Sequence, residues 1–451
     1  MSAAVALPEP PERLAEVRPM GSLINDVVLY GTAGLLLFGP LAFGAVEPWA
    51  IFLLQSASAT FFAIWIVGRM REPQFGISWS PLFPPMLAFA CLILLQLALG
   101  ISAYRHATSD ALLLYVAYGL ICFLLTQTLT RTRQLRRIAT AAVIYGTAVA
   151  MFAILQGLSS PGKLYWFRLL QAGGWMYGPY VNHNHYAGLM EMLVPIPLVF
   201  AFSRYAHGRE RWVAASAAAL MGSTIFLSGS RGGMAAFAVQ LAVLLYFVFR
   251  ERRSEGTGVL LGGFLLLSLS AVAWIGGHNV SERIATLDGS HRHELTGDIR
   301  LHIARDTALM FAKRPILGWG LGTFEDVYPQ FRSFYTSLFV DKAHNDYLQL
   351  AAETGLLGFG AAVWLVATAL RRAWTKTHKW PSDINGTIAV ATIVGITGIL
   401  VHSLVDFNMQ IPANAALFYS LCTISAMAPR FSSRKRTRPL REDDTAARTI
   451  S

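Results

Sequence analysis

The chain has 451 residues, 54% of them hydrophobic and only 14% charged, with a formal net charge of +11. Soluble domains carry about 25% charged residues, so the polar surface of a water-soluble globule is missing, and disordered, collagen-like and coiled-coil classes are excluded by the same composition. Cys91, Cys122 and Cys422 lie singly in apolar runs, which rules out a disulfide framework or a multi-cysteine metal site. A polytopic membrane protein remains.

A helix that crosses the hydrocarbon needs roughly 20 mostly apolar residues. Runs of this kind occur at 25–43, 50–68, 82–100, 109–128, 137–156, 185–203, 212–228, 234–249, 258–276, 347–369, 384–405 and 413–428. The expected fold class is therefore all-α and polytopic, with about 12 transmembrane helices. Residues 1–24 form a polar, Pro-rich tail with no small-residue cleavage site, so the first run reads as a retained span rather than a signal peptide. Spans one to nine occupy 25–276, a large loop 277–346, spans ten to twelve 347–428, and a basic tail that reads as disordered 429–451. A loop of about 70 residues is too long to be an idle connector. Neither an internal repeat nor paired interrupted helices is visible, which argues against a transporter.

Lys and Arg set the orientation. With the N-terminus in the cytoplasm, 25 of the 37 basic residues fall on the inner side, and eight of the outer twelve lie in the long loop, where the rule has little force. Both termini are expected on the inner side, with 277–346 as one large outer loop. Inner clusters such as Arg131-Thr-Arg-Gln-Leu-Arg-Arg137 and Arg434-Lys-Arg-Thr-Arg438 then face anionic headgroups, and a nucleic-acid role is not called for.

Polar and ionisable residues near a membrane are costly and mark function. Four clusters fall at the outer face. Gly178-Pro-Tyr-Val-Asn-His-Asn-His-Tyr-Ala-Gly188 opens the sixth span and offers Asn182, His183 and His185. The bland alternative is capping by Asn. The two histidines point to different helix faces, and no Cys or carboxylate pair completes a tetrahedral metal set. Ser228-Gly-Ser-Arg-Gly-Gly233 is a tight turn whose backbone N–H groups and following helix N-terminus favour an anion, with Arg231 as a phosphate fork. A plain hairpin with one snorkelling Arg is the competing reading. Asp341-Lys-Ala-His-Asn-Asp-Tyr347 places His344 where the loop meets the membrane, able to take a proton from a hydroxyl. In His402-Ser-Leu-Val-Asp406 the two ionisable residues are four apart, the spacing of a structural pair on one helix face. Arg300 and Arg305 in the loop add outer cations, which suggests an anionic, phosphate-bearing lipid handled outside the cytoplasm.

These residues resemble the O-antigen ligase family. His344-Asn345, nine residues and Gly355-Leu-Leu-Gly358 match its His-(Asn/Ser/Gln)-x9-Gly-x-x-(Gly/Thr/Tyr) signature. Pro315-Ile-Leu-Gly-Trp-Gly-Leu-Gly-Thr-Phe324 resembles its glycine-rich stretch, and the 230–232 turn and the Asn-His-Asn-His segment follow the family's order, with the ligase-type core at about 185–406. The superfamily includes O-antigen ligases, Wzy-type polysaccharide polymerases and protein O-oligosaccharyltransferases. The resemblance implies a GT-C-like fold and glycosyl transfer at the periplasmic face without metal or other cofactor. It implies an undecaprenyl-diphosphate-linked glycan as donor and lipid A–core, a second lipid-linked glycan or a protein hydroxyl as acceptor. His344 and Arg231 would be catalytic. Arg300, Arg305, Asn182, His183, His185, Asn345, Asp346 and Tyr347 would bind substrate. A lipid-linked glycan flippase is the alternative from another class.

Overall fold

The computed structural model describes residues 20–71, 76–160, 162–169, 176–204, 206–251, 262–263, 266, 297–336 and 339–427. The expected span at 258–276, the first part of the large loop and the basic tail lie outside the described residues, or almost wholly so. Continuous apolar sequence gives helices almost throughout: α1 (Met20–Leu41), α2 (Pro48–Met70), α3 (Phe83–Ala98), α4 (Arg105–Thr128) and α5 (Thr132–Ser159). A two-residue-per-strand hairpin, β1 (Lys163–Leu164) with β2 (Arg168–Leu169), precedes α6 (His183–Leu193), α7 (Pro195–Ala201), α8 (Arg209–Leu227) and α9 (Arg231–Arg250). After the long loop begins, α10 (Gly297–Lys313) and the short α11 (Phe324–Val327) lead to α12 (Asp346–Trp374), α13 (Ile384–His402) and α14 (Pro412–Ala426).

Among the described residues, seven helices are long and apolar enough to cross a membrane: α1, α2, α4, α5, α9, α12 and α13. The run at 82–100 forms the shorter apolar helix α3, and the run at 185–203 is two short helices, because Pro195 has no N–H to continue the ladder. Helices α8 and α14 cover the runs at 212–228 and 413–428. The architecture is that of an all-helical, multi-pass membrane protein.

Helix α13 is the axis of the functional half. Its spanning window is 72% buried, against 22–50% for the other six, and it packs on α6, α7, α9 and α14. Small and β-branched residues (Gly395, Gly398, Thr387, Thr392) let neighbours approach closely, and Gln240 of α9 reaches past Gly398 to donate to the carbonyls of Glu191 and Val394. Such small-residue interfaces substitute for the hydrophobic drive that lipid removes.

The described part of the loop has its own apolar core, formed by Ile303, Met310, Phe324, Val327, Tyr328, Val340 and Ala343 and closed by Ala352 of α12. Asp306, buried on α10, accepts from Tyr328 Oη and from the Ser333 N–H. Helix α12 is broken at Gly355 (φ 64°, ψ −171°). The segment 315–324 fills the break: Trp319 and Gly320 donate to the carbonyls of Ala352 and Glu353, while the N–H groups of Leu356 and Leu357 donate to Pro315 and Ile316. The Glu353 carboxylate then accepts from the N–H groups of Gly322 and Phe324 and from Gln349. Gln96 of α3 donates to the Glu353 carbonyl from the other side.

This geometry gives the first glycine of the signature, Gly355, a mechanical cause. A Cβ at Gly355 would lie 2.2 Å from the Ile316 carbonyl oxygen, on backbone that L side chains rarely adopt. Gly355→Ala is expected to lower the yield of folded protein sharply and to reduce the melting temperature of what remains, measured by fluorescence-detected thermal unfolding in detergent.

Candidate active site

Three helix N-termini meet at the C-terminus of α13. Each is closed by a polar side chain: Asn182 Oδ1 accepts the Asn184 N–H, Ser230 Oγ accepts the Gly233 N–H, and Asn345 Oδ1 accepts the Leu348 N–H. These caps satisfy donors that a helix start leaves over. The convergent positive ends of α6, α9 and α12 make a setting for an anion.

Asp406 lies at the centre, in the turn that follows α13. His185 Nε2 and His344 Nδ1 are each 3.8 Å from its Oδ1, and Arg300 of α10 is 3.9 Å from its Oδ2. These separations are too long for hydrogen bonds. The Arg300 guanidinium is held by donation to the Val405 carbonyl at 2.9 Å. Both imidazoles pack edge-on against Phe407, at 4.7 and 4.8 Å between centroids. The backbone of His185 is fixed by Asn414, whose amide donates to its carbonyl while its oxygen accepts from Tyr180.

Electrostatics separate the acid and base roles. Burial pushes the Asp406 carboxyl up, but His185, Arg300 and His344 around it outweigh that and hold it well below the usual carboxylate range. Burial dominates at His344 and lowers its pKa to about 4, helped by Arg300 and His185 and opposed by Asp406 and Asp341. A permanent carboxylate therefore stands beside a neutral imidazole at physiological pH. His344 is 12% exposed whereas Asp406 is 1% exposed, so the imidazole is the member of the pair open to a reactant.

Holding His344 there costs backbone strain. Its φ is +50°, a left-handed conformation that costs a non-glycine residue of order 1–3 kcal/mol. The next two residues supply the restraint. Asn345 Nδ2 donates to the Leu404 carbonyl, the Asp346 N–H donates to the Ser403 carbonyl, and Asp346 Oδ2 accepts from Ser403 Oγ and the Met409 N–H. Tyr347 donates to the Leu400 carbonyl. Asn182, Asn345, Asp346 and Tyr347, expected on the substrate, thus spend polar groups tying the site together. His183 is buried at the first residue of α6, and His185 is the ring directed at Asp406. Arg305 is exposed on α10 and takes no part in the contacts around Asp406.

Arg231 is exposed at the first residue of α9. Its neighbour Gly232 lies against α13, where an added Cβ would be 2.9 Å from both His402 Nε2 and Val405 Cγ2. The turn is therefore adjacent to the segment that carries Asp406. His402 and Asp406 do not form the pair their spacing suggests, because α13 ends at His402. His402 Nδ1 is instead 2.8 Å from Glu191 Oε1 on α6, with neither side chain exposed. Glu191 escaped the sequence reading, although a lone carboxylate inside an apolar run was the signal available.

Several buried polar atoms here have no hydrogen-bond partner within the protein: His185 Nε2, His344 Nδ1, Asp406 Oδ2, Arg300 Nε and Asp346 Oδ1. Buried polar groups are nearly always paired, so their concentration in one place suits a polar ligand. No group of three or more His, Cys, Asp or Glu among the described residues has the arrangement to hold a metal ion.

Residues 216–363 match the O-antigen ligase family model, so that segment is similar to O-antigen ligases. The matched segment holds Arg231, Arg300 and His344 but ends before Asp406. No curated protein matches the chain.

Proposed function

We propose, from the premise that residues 216–363 carry an O-antigen ligase domain, that this membrane protein transfers a glycan from an undecaprenyl-diphosphate-linked donor to an acceptor hydroxyl at the periplasmic face. Lipid A–core is the favoured acceptor. The observation that carries the reading is the juxtaposition of a neutral, partly accessible His344 with the fixed Asp406 carboxylate, Arg300 and three helix N-termini.

The roles follow from charge. The acceptor oxygen attacks the anomeric carbon, and its proton passes to the neutral His344 imidazole. Asp406 stabilises the imidazolium so formed. The bond from the anomeric carbon to the diphosphate breaks, and its electron pair leaves with the lipid diphosphate. Arg300, Arg231 and the ends of α6, α9 and α12 offset the charge that develops there, the work a divalent metal does elsewhere. Arg231→Lys keeps the charge and loses the bidentate fork. Its expected outcome is a loss of at least tenfold in transfer at unchanged protein level, and full activity would remove Arg231 from the site.

The decisive experiment incubates purified protein with the lipid-linked donor and either lipid A–core or a second lipid-linked glycan, without an ion gradient. Mass analysis shows which acceptor gained sugar. Elongation of the second glycan would make the protein a polymerase, a parallel incubation with a protein acceptor that gained sugar would make it an O-oligosaccharyltransferase, and no transfer to any of the three would sink the enzymatic reading.

A further inference from the structure

Glu191 and His402 form a buried pair that takes no direct part in the chemistry proposed above. Their contact joins α6 to the end of α13 at 2.8 Å, with both side chains fully enclosed. The pair underlies the Arg231 turn. A Cβ at Gly232 would be 2.8 Å from His402 Cδ2, and one at Gly233 would be 2.7 Å from Ala187 Cβ and 3.2 Å from Glu191 Oε1. The two glycines therefore rest their backbone on the imidazole, on the carboxylate and on the α6 surface, while Ser230 Oγ locks the Gly233 N–H from above. The other face of the same residue reaches the acid–base group, since the His402 carbonyl accepts the N–H groups of both Val405 and Asp406.

We infer that Glu191 and His402 are positioning residues that set the Arg231 turn in register with Asp406 and His344. One residue, His402, fixes the cationic turn through its ring and the carboxylate turn through its carbonyl, and Glu191 fixes the ring. The chemistry demands such a link. The group that takes the proton and the group that meets the leaving diphosphate come from helices far apart in sequence, and a misplacement near 1 Å can cost about 100-fold in rate. Placing the two glycines at 232 and 233 is what lets the turn approach this closely, because any side chain there would strike the pair.

The inference rests on the transferase reading for its functional consequence, but its structural content has a separate readout. Glu191→Leu removes the acceptor for His402 Nδ1, whereas Glu191→Gln keeps a carbonyl oxygen at the same reach. In hydrogen-exchange mass spectrometry on the full-length protein in detergent, the peptide that spans 229–236 should exchange at least fivefold faster in Glu191→Leu and at the wild-type rate in Glu191→Gln. Peptides from α1 and α2 should match wild type in both variants, which excludes general loosening. In the transfer assay with the lipid-linked donor, kcat should fall about 100-fold in Glu191→Leu with acceptor KM unchanged, and recover to within about threefold of wild type in Glu191→Gln. The loss should also be much smaller when measured in an Arg231→Ala background, as expected of residues that act through that arginine.

Unchanged exchange at 229–236 in Glu191→Leu overturns the inference, whatever the activity. So does a kinetic loss that is the same in the presence and absence of the Arg231 side chain. If Glu191→Leu does not accumulate, Glu191→Gln carries the test: a Gln variant as slow as a His344 variant would show that the carboxylate charge, not its position, is needed, and would equally overturn it. Glu191 variants that exchange as described, beside a wild-type protein that transfers no sugar, would sink the transferase reading and leave the positioning role standing.

Discussion

His344→Ala is expected to reduce glycan transfer by at least 100-fold and up to 10,000-fold, while the protein accumulates at the wild-type level. That range is the usual cost of deleting a positioned acid–base group, roughly 3–5 kcal/mol of barrier. Accumulation is preserved because the ring makes no hydrogen bond within the protein, and its neighbours Asn345 and Asp346 carry the contacts that hold the segment. The pH dependence should be as distinctive as the loss. An ordinary histidine is half protonated near pH 6.5, and a base of that kind would fade from about pH 7 downward. Burial holds the His344 pKa to about 4, so its proton-accepting form predominates across the neutral range and is lost only as the pH falls through that value. The rate profile should stay flat from pH 8 to about pH 5.5 and drop below it. A well-expressed His344→Ala enzyme with normal transfer, or an acid limb centred near pH 6.5, would contradict the assignment.

Asp406→Asn should be nearly as damaging, for a different reason. The carboxylate stands between His185, His344 and the Arg300 guanidinium, and it is almost wholly buried. Removing one member of such a cluster leaves the rest uncompensated, at a cost of about 3–5 kcal/mol. Part of this appears as a lower melting temperature and part as lost rate, because the imidazolium formed during transfer loses its stabilising partner. The expected result is at least a 100-fold fall in kcat, with a melting point reduced but a cooperative transition retained. Thermal unfolding beside the transfer assay separates the two components. Wild-type kcat in a folded Asp406→Asn protein would remove this carboxylate from the mechanism.

The membrane class, most of the helices and several residues of the candidate site were legible in the sequence because hydrocarbon makes polar residues expensive. His344, Arg231 and the Asn-His-Asn-His segment stood out against apolar surroundings for that reason, and the structure brings their segments to one place. The roles of Asn345 and Asp346 were hidden because a side chain that binds a ligand and one that ties two turns together look alike in one dimension. Helical spacing misdirected the reading of His402 and Asp406: residues four apart share a face only while the helix continues, and α13 stops between them. Arg305 was grouped with Arg300 by proximity in sequence, yet only Arg300 reaches Asp406. Glu191 could be recognised only once α6 and α13 were side by side, since its partner is 211 residues away. The broken helix at 185–203 follows from Pro195, which composition alone had absorbed into an apolar run.

The interruption of α12 at Gly355 also bears on how this helix is completed. Gly355 lies nine residues into the helix, about 13 Å along its axis, where hydrocarbon offers nothing to an exposed amide or carbonyl. The groups freed at the break are answered by a stretch of chain translated earlier, 315–320. This helix therefore cannot satisfy its own backbone. Its N-terminal part is complete only with 315–320 laid against it, so the loop is a template for this helix, and Gly355 is the position that makes the helix depend on a borrowed stretch of backbone.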